Sequence, residues 1–187
     1  MSRDIQTYAD LKALPPNVVG ELIDGTLYTS PRPAERHAMA SSVLGAELMP
    51  PLQLRRGGPG GWVFYDEPEL HFGDDALVPD LAGWRDERAP TPGVTAFEEP
   101  PDWVCEVLSP STAKLDRMVR LRVYAREGVR FVWLVDPIAQ TVELLELDGE
   151  LYRVVQLANG DARIRGQPFE EVELDLVSMW TGKSRAT

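Results

Sequence analysis

The sequence predicts a mixed α+β domain, a β-sheet flanked by helices with one β-hairpin near each end. Three observations carry this. Strand formers at Trp103–Leu108 are followed by a helical stretch at Lys114–Arg126 and an apolar run at Phe131–Val135. That order describes a crossover, which lays two strands parallel in one sheet. Two Asp-Gly pairs, Asp24-Gly25 and Asp148-Gly149, each sit between strand-forming segments and mark two-residue hairpin turns. The chain has 187 residues, 43% of them apolar, enough for one core and short for two domains. We therefore read residues 1–187 as one domain, with a core at about 18–137 and a C-terminal hairpin extension at 138–187.

Taken in order, Thr7–Leu14 reads as a short helix with Thr7 as its cap, stopped by Pro15-Pro16. Val18–Ile23 and Thr26–Thr29 form the first hairpin, and Ser30–Pro33 is a linker. Ala34–Met49 has helical composition and is expected to end at Pro50-Pro51, because proline lacks the helical donor. Gly57–Gly61 is a loop. Trp62–Tyr65, Glu69–Phe72 and Leu81–Trp84 read as strands, with Gly73–Asp75 as a turn and Arg85–Pro100 as a polar surface loop. The helix from Lys114 closes at Gly128. Thr141–Leu147 and Glu150–Leu157 form the second hairpin, and there is no internal repeat.

Composition narrows the function classes. No apolar run reaches the roughly 18 residues of a membrane helix, so no membrane role is expected. The N-terminus lacks the apolar stretch of a signal peptide, and one cysteine excludes an internal disulfide and a cysteine-cluster zinc site. A cytoplasmic location is the expectation. A net charge of −11 argues against wrapping nucleic acid over the whole surface. Between Lys114 and Arg130, however, six basic residues face only Asp116 and Glu127, which suggests a focused anion site or an ordinary solvated helix.

Glu106 is the most informative residue. It interrupts the apolar strand Trp103–Leu108, where a buried carboxylate is costly unless a partner compensates it. Asp80 lies in a matching setting, after Pro79 at the entry to another strand. Two acids 26 positions apart on neighbouring strands can meet the demand of Mg²⁺ for one or two carboxylates plus water and phosphate. The competing reading of Glu106 is a structural ion pair with Arg117 or Arg120; that of Asp80 is a turn-forming residue. Asp116, Arg120 and Tyr124, four apart, share one helical stripe. Cys105 reads as a buried, inert thiol.

Several motifs in fixed order resemble one family. Pro79-Asp80, then Glu106-Val-Leu-Ser-Pro-Ser-Thr112, then Asp116-Arg117, Tyr124 and Gly128-Val129, then Val132–Pro137 are similar to the Uma-type putative endonucleases of the PD-(D/E)XK restriction-endonuclease-like superfamily. Glu21–Gly25 and His37 extend the likeness over most of residues 7–137. The resemblance implies a restriction-endonuclease-like mixed sheet and Mg²⁺- or Mn²⁺-dependent hydrolysis of DNA phosphodiesters. It makes Asp80 and Glu106 metal ligands and places Glu21 and His37 beside them. The strict superfamily pattern has a lysine two positions after the second acid, where this chain has Leu108. The subfamily carries it on the following helix, at the position occupied here by Arg120.

Arginine holds a phosphate bidentately but does not readily give up a proton. Two classes of function follow: a metal-dependent endonuclease with Asp80, Glu106, Arg120, Glu21 and His37 in its site, or a catalytically degenerate module of the same fold that binds or assembles. A metallohydrolase acting on another phosphate ester is a third. DNA is the expected partner, weakly held by so acidic a chain, and a protein partner that delivers it is a further expectation. The C-terminal hairpin and acidic tail offer a homodimer surface.

Overall fold

The computed structural model describes residues 5–16, 18–30 and 34–184. After a short helix α1 (Tyr8–Lys12), strands β1 (Val19–Ile23) and β2 (Thr26–Ser30) form the first hairpin. Its turn residues Asp24 and Gly25 both take positive φ, 49° and 66°, as the favoured two-residue turn requires. The linker residues Pro31–Pro33 lie outside the described residues.

Helix α2 (Glu35–Leu52) runs through Pro50 and Pro51 instead of stopping before them. Proline's fixed φ suits a helix, but each ring removes a donor and crowds the carbonyl four residues back, so packing must hold this last turn. The ladder resumes at once, with Gln53 N–H donating to the Met49 carbonyl at 2.9 Å, and Leu52 is buried in the core.

The central sheet contains β3 (Trp62–Asp66), β6 (Leu81–Arg85), β7 (Trp103–Val107), β8 (Phe131–Asp136), β9 (Thr141–Asp148) and β10 (Leu151–Asn159), in the order β10-β9-β8-β7-β6-β3. As the crossover predicts, β7 and β8 pair in parallel; the remaining neighbours are antiparallel. A second sheet, β2-β1-β5-β4, adds β4 (Leu70–Phe72) and β5 (Asp75–Leu77). The predicted turn at residues 73–75 thus shortens to Gly73-Asp74. Asp75 opens a strand because its carboxylate is tied by Asp24 N–H and Arg126.

Side-chain alternation along the sheet divides the core. Trp103, Cys105, Val107 and Trp133 face α2, a small ribbon β11 (Arg163–Ile164) and β12 (Leu174–Asp175), and helix α5 (Leu176–Thr181). There Phe169 sits among Trp62, Phe64, Trp103 and Trp133, with ring centroids 4.9–5.5 Å away. Ala82, Trp84, Val104, Val132 and Leu134 face the opposite way, against the second sheet and the crossover helix. Gly83 is required where β3, β6 and β7 press together, since a Cβ there would come within 2.8 Å of the Phe64 ring.

The crossover helix is not the regular helix expected from Lys114 to Arg126. It comprises α3 (Ala113–Leu115), a widened π-type turn at Asp116–Arg120, and α4 (Leu121–Arg126). Wide turns of this kind re-aim side chains, often at functional sites. Here both Asp116 and Arg120 are buried within it.

The basic stretch does not present a free anion-binding face. Arg117 pairs with Glu143, Arg126 with Asp75 and Glu127, Arg130 with Glu146, and Arg122 approaches Asp24 at 3.8 Å. The acids of the second sheet and of β9, remote in sequence, neutralise it.

Candidate functional site

The site lies where β6 begins and β7 ends. Leu81 pairs with Cys105 and Ala82 with Val104; extending that register by one residue sets Asp80 opposite Glu106. Glu106 leaves the sheet on the face turned toward the crossover helix, where Arg120 and Tyr124 meet it, while Asp80 contacts His37 of α2. Asp80 is fixed at both oxygens: Oδ2 accepts Val107 N–H at 2.7 Å, and Oδ1 lies 3.1 Å from His37 Nε2 near the start of α2.

Glu106 is 1% exposed, and each of its oxygens has a donor. Tyr124 donates its hydroxyl to Oε1 at 2.5 Å, and Arg120 Nη1 donates to Oε2 at 2.7 Å. Of the ion-pair partners considered, Arg120 is the one found, while Arg117 turns outward to Glu143. The same Nη1 donates to Asp116 Oδ1 at 2.8 Å. Arg120 Nε donates to Glu21 Oε2 at 3.0 Å, and Nη2 reaches that same oxygen. Glu21 is therefore inside the site rather than on its rim, and its Oε1 also accepts Val78 N–H at 2.8 Å.

Electrostatics follow from burial. Desolvation pushes the Glu106 carboxyl well above the usual carboxylate range, and the adjacent Arg120 offsets only part of that. Asp116 is raised for the same reason, to about 6, again against the pull of Arg120. Burial alone would lower His37, but its bond to Asp80 and the nearby Asp116 outweigh that and leave it raised. Among the described residues three buried side-chain atoms have no partner, and two of them, Asp116 Oδ2 and His37 Nδ1, belong to this site; the third is Trp103 Nε1. The four carboxylates thus outnumber the arginine held among them.

A cavity of about 260 Å³ opens onto this cluster, bounded by His37, Asp80, Arg120, Ser109, Ser111 and Thr112 among others. Its hydroxyls are linked, Ser109 Oγ lying 2.9 Å from Ser111 Oγ and 3.0 Å from Thr112 Oγ1. In sequence this Ser-Pro-Ser-Thr run belongs to the motif that begins at Glu106, and its hydroxyls carry no assigned role there. Its position directly after the acid-bearing strand was the available signal that it faces the site. Asp116 and Tyr124 lie on the stripe that the sequence places beside Arg120, whereas Glu67 at the cavity wall carries no sequence signal.

Among the described residues, no three His, Cys, Asp or Glu side chains form a ready-made metal cluster. Neighbouring carboxylates, one of them bordering an open cavity, with a buried carboxylate oxygen of Asp116 unsatisfied, fit a hard cation that keeps most of its water.

A family model described as "Uma2: Putative restriction endonuclease" matches residues 5–177. The chain belongs to the Uma2 family. Among solved structures, it is similar to a putative nuclease belonging to DUF820 from Anabaena variabilis ATCC 29413, with a TM-score of 0.76 and 22% identity over 94% of this chain and 97% of that one. That likeness establishes the fold. A search of curated proteins returned no match. In this Uma2 member the site is closed by an arginine that three acids hold at once. No helix among the described residues is long and apolar enough to cross a membrane.

Proposed function

We propose that this Uma2 protein is a Mg²⁺- or Mn²⁺-dependent endonuclease that hydrolyses DNA phosphodiesters through activated water. The observation that carries the proposal is the placement of Asp80 and Glu106 at adjacent strand ends, one register step past the Leu81–Cys105 pair, with Asp80 bordering the cavity. Asp80 and Glu106 are the ligands. A divalent cation held by them supplies charge that polarises the scissile phosphate and acidifies a bound water. His37 orients Asp80 through Nε2, and Tyr124 fixes Glu106. The Ser109, Ser111 and Thr112 hydroxyls line the cavity as donors for phosphate oxygens. Arg120 supplies positive charge to the phosphate, and Glu21 holds its guanidinium.

Nicking of supercoiled plasmid with Mn²⁺ or Mg²⁺ tests this. Wild type is expected to nick, and Glu106→Gln and Asp80→Asn to be silent. Cleavage that survives both substitutions sinks the assignment. A degenerate binding module is the second reading, supported by the arginine at position 120; a silent wild type with an active Arg120→Lys variant would favour it.

The reading includes a homodimer, supported by β10. That strand is the edge of the central sheet and exposes Leu151, Val154, Val155 and Leu157. Long apolar edges are pairing templates. In an antiparallel match of two copies centred on Val155, Arg153 faces Leu157 rather than itself, so no like charges meet. Two sites per dimer suit the two strands of a duplex. The reading also places the protein in the cytoplasm, a reducing compartment suited to its lone, buried Cys105 thiol.

A further inference from the structure

We propose that Arg120 is a built-in counter-cation that occupies the place of a divalent metal beside Glu106, so that metal enters only as the guanidinium withdraws toward the cavity. The inference rests on the metal-site reading above. It starts from three facts of position. Arg120 contacts Glu106, Asp116 and Glu21 together, through Nη1, Nε and Nη2. It also borders the cavity, as Asp80 does. Glu106 is not among the cavity-lining residues and is 1% exposed. The guanidinium therefore stands between one proposed ligand and the solvent from which a metal arrives.

The charge balance explains why the arrangement can be displaced. Glu21, Asp80, Glu106 and Asp116 bring four carboxylates into one buried region. The single guanidinium satisfies three of them incompletely, since Asp116 Oδ2 is buried without a partner among the described residues. Where these carboxyls ionise, one delocalised cation spread over three of them compensates them less well than a compact divalent ion. Arginine is also the residue suited to this plug. Its planar fork reaches three acids in fixed directions, whereas a lysine ammonium acts as a point charge.

The escape route is the cavity itself. Withdrawal of the side chain moves its charge toward the Ser109, Ser111 and Thr112 hydroxyls, where a phosphate would lie. Metal and phosphate then favour the same rearrangement, one taking the carboxylates and the other the guanidinium, and each strengthens the other's binding.

Calorimetric titration with Mn²⁺ alone, on wild type and Arg120→Gln, tests the inference. The variant is expected to bind Mn²⁺ roughly tenfold or more tightly than wild type, a difference of about 1.4 kcal/mol. Its melting temperature should fall without metal and recover with it. Affinity in the folded variant equal to or weaker than wild type overturns the proposal. If Arg120→Gln does not fold, Arg120→Lys serves, because it keeps the charge but loses the fork; it too must bind Mn²⁺ more tightly than wild type. Uptake that requires Asp80 and Glu106 but ignores residue 120 removes this inference and leaves the metal-site reading intact. Uptake indifferent to Asp80→Asn and Glu106→Gln, or absent from every variant, overturns the reading and the inference with it.

Discussion

Glu21 and Arg120, 99 residues apart, meet at one oxygen: Nε and Nη2 of the arginine both donate to Glu21 Oε2. With Val78 N–H on its other oxygen, Glu21 ties the first hairpin to the approach of β6 and to the crossover helix. Replacing it by Gln keeps a carbonyl for Val78 but removes the charge facing Arg120. We expect Glu21→Gln to cost about 2 kcal/mol, because Glu106 and Asp116 still hold the arginine. Urea unfolding measures this, and a change below about 0.5 kcal/mol would show that the contact contributes little.

Asp116 predicts a pH dependence. Its carboxyl is raised from 3.8 to about 6 by burial, so between those values the folded protein binds the proton more tightly than the unfolded chain. Its contribution to stability is therefore full below about pH 4 and is lost as pH rises through about 6, by at most about 3 kcal/mol. Comparing denaturant midpoints of wild type and Asp116→Asn across that window isolates the effect. A difference between them that does not change with pH refutes it.

The aromatic cluster makes the C-terminal region part of the core. Phe169 is fully buried against Trp62, Trp103 and Trp133. Phe169→Ala should cost about 3–5 kcal/mol, the range for emptying a large aromatic site. Near-native stability of the variant would mean that this end of the chain packs more loosely than its contacts indicate.

Edge pairing through β10 predicts a dimer in solution. Sedimentation at micromolar concentration should show two copies for wild type and one for Leu157→Lys, with unchanged circular dichroism. A monomeric wild type removes this part of the proposal.

Much of the fold was legible because it rests on near-neighbour physics. Asp24-Gly25 needs two positive φ values, and both occur. An apolar strand, a helix and a second apolar strand admit essentially one connection, and β7 and β8 are indeed parallel. The misreadings share a cause. Pro50-Pro51 appeared to end a helix that burial of Leu52 continues, and β5 was hidden because the partners of Asp75 lie 51 residues away on either side.

The sequence by itself determined the strand and helix pattern and brought Asp80 and Glu106 forward as unusual acids, because alternation, turn chemistry and the cost of a carboxylate in an apolar run are local properties. Only the tertiary structure decided what surrounds them. Whether an arginine faces solvent or fills a nest of carboxylates depends on which distant segments pack against its helix. Here Glu21 from β1 and Glu106 from β7 enclose Arg120, while Glu143 draws Arg117 outward. Burial then sets the energetics, since an exposed ion pair contributes little, whereas removing one partner of a buried pair leaves an uncompensated charge and is strongly destabilising.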